Sequence, residues 1–223
     1  MKIKGLTIIL IICLLIVIWI SFIEFKFTEL IDGKGKTFED IIENLCLSYI
    51  AGYMFYFLNV YLVERKEKKA ILPFVARNVM LLLVNNSSII SCLRGNSKID
   101  LKNFPTKEEF KTLLEKVNPK DNVPFFYIQK NWFYLFQNRQ KSTNDYIDKI
   151  LLSGKYIDED LRRILLEIQS SLYLKEDYAF NSESYSKTNL SEYSIVFKNY
   201  FDLIESLSKY YYKNLKQYSP YTG

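Results

Sequence analysis

The hydrophobic pattern divides the chain into an apolar first third and a mixed remainder. Gly5 to Ile23, GLTIILIICLLIVIWISFI, carries no charge, and Leu45 to Val63, LCLSYIAGYMFYFLNVYLV, carries none either. A helix of either length is about 28 Å long, close to the roughly 30 Å hydrocarbon core of a bilayer. The spacing predicts two membrane helices, about 5–23 and 41–63. The first is apolar all round, with Trp19 near one end where an aromatic anchor would lie. A secretory signal would have a shorter apolar core and a small-residue cleavage site, which the exit Ile20-Ser21-Phe22-Ile23-Glu24-Phe25 lacks. An uncleaved helix is expected.

Charge fixes the expected orientation. Lys2 and Lys4 precede the first run, and Arg65, Lys66, Lys68 and Lys69 follow the second. The connection between them, residues 24–40, carries five acids against three lysines. The positive-inside rule then places both termini in the cytoplasm and the connection outside, as in a multi-pass membrane protein. The collar Arg65, Lys66, Lys68 and Lys69 reads first as this topology signal, and also as a set of cations facing anionic lipid. Within the connection, Gly35-Lys36-Thr37 imitates the end of a phosphate-binding loop, but position 30 is Leu where that motif needs glycine. A flexible turn at Gly33 and Gly35 is the better reading.

The second run has a polar side. Asn44, Ser48, Gly52, Tyr56 and Asn59 recur at spacings of four, four, four and three, within an arc of about 120°, and Glu43 lies just before the apolar core. Two readings of this stripe stand. It packs against the first helix or a copy of itself through small-residue contacts and side-chain hydrogen bonds. Alternatively, several copies gather and it lines a water-filled path with Glu43 at the outer mouth. Two helices cannot enclose a pore, so the second reading requires a homo-oligomer.

Beyond the collar the pattern is helical. Residues 70–93 are apolar with interruptions at Arg77, Asn78, Asn85 and Asn86, which suits a buried core helix or one lying on the membrane surface. Pro73 fits an early turn of it. Thr106 and Glu109 have capping-box spacing. A further helix is expected from about Phe125 to Leu152, with a break near Ser142-Thr143, and Gly154 as its stop. Asp158 or a neighbour opens the next, and Asn189 or Ser191 caps a last helix running to about Gln217. Residues 175–188 read as a loop. The expected fold is therefore all-α: a transmembrane hairpin with its collar over 1–69, then a cytoplasmic helical domain over 70–223.

Composition narrows the chemistry. The 223 residues include no histidine, which removes His-based acid/base catalysis, His-dependent nucleophiles and nearly all catalytic zinc sites. Cys13, Cys46 and Cys92 make no metal-ligand spacing and read as small buried hydrophobes. Carboxylates are scattered, and Asp158, Glu159 and Asp160 open a helix, where the dipole explains them. No catalytic residue, metal or cofactor is expected, and the chain does not read as an enzyme. Thirty basic residues against 25 acidic give a net charge of +5, too mild for a dedicated nucleic-acid binder. The C-terminal SKYYYKNLKQYSPYTG does mix aromatic and basic side chains. Lys209, Tyr211, Tyr212, Lys213 and Lys216 are the candidates there for a nucleotide or nucleic-acid ligand; a solvated helix end and a lipid contact are the alternatives.

In layout the chain resembles the small membrane effectors of bacterial antiphage defence systems. The shared features are a basic start, a two-helix hairpin and a helical cytosolic domain without histidine, and the resemblance covers mainly residues 1–69. It implies a hairpin that permeabilises the membrane and a cytosolic domain that answers a signalling partner. The competing expectation is a non-conducting anchor whose helical domain recruits another protein.

Overall fold

A computed structural model describes residues 2–22, 35–96, 98–124, 131–175 and 186–219. Among them the chain is all-helical, with no strand. It divides into two compact units, 1–68 and 69–223.

In the first unit, α1 spans Lys2–Phe22 and α2 spans Gly35–Tyr56. Ile3–Phe22 within α1, and the continuous helix Gly35–Leu93 that α2 opens, are long and apolar enough to cross a membrane. α1 and α2 pair antiparallel: Thr7 meets Tyr53 near one end and Ser21 meets Glu43 near the other. Gly35-Lys36-Thr37 forms the first turn of α2 rather than a flexible turn, and Gly33 lies outside the described residues. At Phe57–Tyr61 the backbone widens into a π turn and then continues as α3, Leu62–Leu93. The helical backbone is therefore unbroken from Gly35 to Leu93, where the sequence suggests a helix ending at Val63. Glu64 to Lys69 explain the difference. Glu, Lys and Arg are strong helix formers, so their charge marks a change of surroundings without stopping the helix. Pro73 lies in the interior of α3, not in an early turn. It is exposed, so water can reach the carbonyl that its missing N–H leaves unpaired.

The second unit is built on the later part of α3, which is buried almost continuously from Val75 to Cys92. Among the described residues four shorter helices share one core with it: α4 (Lys107–Glu115), α5 (Trp132–Leu151), α6 (Glu159–Gln169) and α7 (Ser194–Tyr210). Their ends follow local chemistry. Thr106 caps α4 by accepting from the Glu109 N–H, while the Glu109 carboxylate pairs with Arg94 at 2.7 Å. Asn131 caps α5 by accepting from the Tyr134 N–H at 3.0 Å, so this helix begins at Trp132; the expected earlier start, over 125–130, lies outside the described residues. Asp158 caps α6 through the Leu161 N–H at 2.9 Å. Gly154 has φ +54°, the left-handed conformation that lets the chain leave α5. Before α7, Asn189 accepts from Ser191 and a 3₁₀ turn intervenes, so the α-helix proper starts at Ser194. Most of the expected 175–188 loop lies outside the described residues.

The core is aromatic. Phe110 stacks on Phe201 at 5.3 Å, and Tyr173 and Phe136 meet Phe197 edge-on at 5.2 and 5.3 Å. Beside these rings lies a buried polar node. Asn86, with no exposed surface, donates to Thr143 Oγ1 at 3.1 Å and accepts from the Tyr200 hydroxyl at 2.6 Å. Asn85 donates to the same Thr143 oxygen and accepts from Arg139 at 2.6 Å. The node ties α3, α5 and α7 together. It also explains why α5 does not break at Ser142-Thr143: Thr143 is an interior acceptor on a continuous helix.

Candidate functional site

Two places gather the polar side chains that the sequence singles out. The first is α2. Its contact face with α1 is made by Cys46, Tyr49, Tyr53 and their neighbours at three- and four-residue spacing. Tyr49 donates to the Leu6 carbonyl at 3.0 Å, and Tyr53 shares a 2.9 Å hydrogen bond with Thr7. Glu43 accepts from Ser21 at a long 3.5 Å. At 100° per residue Asn44 lies opposite this face and Ser48 well away from it, whereas Gly52 is about a quarter-turn from it and Tyr56 sits beside Tyr49. Asn44, Ser48, Gly52 and Asn59 are exposed, and Tyr56 is half-buried. Neither Asn44 nor Ser48 has a side-chain partner among the described residues, whereas Asn59, in the π turn, donates back to the Phe55 carbonyl at 3.1 Å. A Cβ added at Gly52 would meet nothing within 4 Å, so packing within one chain does not require glycine there. The hairpin thus uses tyrosine hydroxyls for its internal contact and leaves the small, polar face open. The collar residues Arg65, Lys66, Lys68 and Lys69 are all exposed, on helical backbone.

The second place lies where α7 ends. After Tyr210 the backbone forms another π turn, Tyr211–Leu215, then a short 3₁₀ turn. A π turn swings successive side chains away from their α-helical directions and recurs at functional sites. Here it turns Tyr211 into the core, 3% exposed, and away from the candidate surface. Tyr212 and Lys213 instead line an open cleft of about 530 Å³ with Lys209, Lys102, Leu101 and Phe104. Lys216 joins indirectly, its ammonium lying 5.6 Å from the Tyr212 ring centre. Lys102 lies 4.9 Å from the same ring. Lys209 pairs with Glu205 at 2.7 Å, one turn back on α7. The Ser208 hydroxyl donates to the Leu101 carbonyl at 2.8 Å and holds the 98–105 segment against α7. Burial raises the Tyr212 phenol above its ordinary range, with Tyr211 and Asp100 adding to the shift, so it stays neutral. Nearby, burial and the hydrogen bond to Asp158 hold Tyr210 neutral as well.

The sequence brought forward Lys209, Tyr212, Lys213 and Lys216 but missed Lys102, Leu101 and Phe104, which arrive from a polar loop more than 100 positions earlier. No periodic signal marks such a residue. The polar node was missed in the same way, because Asn85 and Asn86 read as interruptions of an apolar run. Among the described residues no cluster of Cys, Asp or Glu could hold a metal ion. No protein-family model matches the chain, and no curated protein and no solved structure matches it either.

Proposed function

We propose that the protein is an oligomeric effector or channel-like protein of a bacterial inner membrane, controlled by its helical unit and acting in antiphage defence. On this reading α1 and α2 cross the bilayer, with both termini and residues 69–223 in the cytoplasm. The observation that carries it is the position of Asn44 and Ser48, on the side of α2 away from α1 and without partners. Hydrocarbon cannot satisfy such groups, and an unsatisfied polar side chain there costs on the order of several kcal/mol. Neighbouring copies would satisfy them, and Gly52 would allow the helices to approach closely. In a ring of copies the same side chains face the enclosed space, while Glu43 stays at the contact with α1. The Lys2, Lys4 and collar charges support the orientation.

One observation favours the non-conducting anchor. The hairpin completes its own hydrogen bonds at Tyr49, Tyr53 and Asn59 within a single chain. Dye-reported membrane potential on overexpression separates the two. Depolarisation that is lost in Ser48→Leu and Asn59→Leu, with both variants still membrane-bound, supports conduction. An unchanged potential with a stable co-purifying protein supports the anchor.

A further inference from the structure

We propose that the cleft between the 98–105 segment and the end of α7 binds a small phosphate-bearing ligand of nucleotide type. The inference uses the second unit alone and stands apart from conduction by the hairpin.

The cleft combines two surfaces that such a ligand needs. Leu101 and Phe104, half-buried against the core, supply apolar contact for a flat ring. Lys102, Lys209 and Lys213 line the same space against a single carboxylate, Glu205. That carboxylate is already paired with Lys209, and among the described residues neither Lys102 nor Lys213 meets a carboxylate. Asp100 is close enough to Tyr212 to affect its phenol and offsets part of the positive field. A surplus of ammonium groups remains, with Lys102 and Lys216 both held near the Tyr212 ring.

The arrangement is built rather than accidental. The Ser208 hydroxyl bonds the Leu101 carbonyl and fixes the loop that carries Lys102. The π turn aims Tyr212 and Lys213 into the cleft while Tyr211 anchors it in the core. The volume of about 530 Å³ lies within the ~300–1,000 Å³ usual for small-molecule sites. Phosphate oxygens would take charge-assisted hydrogen bonds from the lysines, each stronger than a neutral one. The Tyr212 hydroxyl, kept neutral, remains a donor.

The test is calorimetric titration of the full-length protein in mild detergent with ATP, with adenosine and inorganic phosphate in separate arms. ATP is expected to bind, and each fragment about tenfold or more weaker, because each engages one surface only. K102Q/K209Q/K213Q should weaken ATP binding by about tenfold or more. K111Q/K116Q/K141Q removes the same charge from exposed positions outside the cleft and should leave binding within about twofold. All six lysines are exposed, so both triple variants keep the fold. Absence of ATP binding by the folded chain overturns the proposal, and so does equal weakening by the two triple variants. Binding only to phosphatidylglycerol vesicles, through the same three lysines, would assign the phosphate to a lipid headgroup and also overturn the nucleotide assignment.

Discussion

Removing one oxygen from Tyr200 should destabilise the second unit by about 2 kcal/mol. The Tyr200 hydroxyl donates to Asn86 Oδ1 at 2.6 Å, and neither residue has exposed surface. Tyr200→Phe keeps the ring and its packing on Tyr173 at 4.3 Å. It removes a bond with a net worth of about 1 kcal/mol and leaves the Asn86 oxygen buried without its donor, at a cost of roughly 1–3 kcal/mol. No cavity large enough for water opens at the deleted atom, so solvent does not replace the donor. For a unit of about 150 residues, 2 kcal/mol lowers the melting temperature by roughly 5 °C. The assay is near-ultraviolet circular dichroism during heating of the full chain in mild detergent, run as a cycle with Asn86→Leu. The double variant should be less destabilised than the sum of the single ones by about 1–2 kcal/mol, because it leaves neither group unpaired. A Tyr200→Phe melt equal to wild type, or strict additivity in the cycle, would refute the node as a coupled unit.

The second unit and its helix caps give three further outcomes. Ser87 Oγ is fully buried with no partner among the described residues, so Ser87→Ala should leave stability unchanged or raise it by up to about 1 kcal/mol, read from the same melts; a clear loss contradicts this. Asp158→Ala should cost about 1–2 kcal/mol, since it removes the α6 cap and the acceptor of the Tyr210 hydroxyl, whereas Asp158→Asn, which still caps, should cost less. Burial holds the Tyr173 and Tyr200 phenols well above the ordinary value of about 10. Above that pH the unfolded chain releases protons that the folded chain keeps, so stability falls as pH rises. Tyr200→Phe should flatten this alkaline slope, and a slope unaffected by the substitution would contradict the assignment.

The two apolar helices were legible because nineteen-residue runs without charge leave little else for the chain to form. Their contact face was not. A search for small and polar residues selects Asn44, Ser48 and Gly52 and passes over Tyr49 and Tyr53, whose rings count as apolar while their hydroxyls make the helix–helix bonds. Caps at Thr106 and Asp158 could be read directly, because a cap is a local event between residues three apart. The continuity of the helix through Glu64–Lys69 was hidden by reading charge as an ending. The node at Asn86 and the cleft at Lys102 join positions about 110 residues apart, and nothing local announces such a pairing.

The central claim is that α1 and α2 both cross a bilayer and leave residues 69–223 on the inner side. In a C13A/C46A/C92A background, single cysteines at Lys34 and at Lys66 can be probed on intact cells with a membrane-impermeant maleimide. The account predicts labelling of K34C from outside and labelling of K66C only after the cells are opened. Labelling of neither or both in intact cells, or release of the protein by an alkaline carbonate wash, would contradict it.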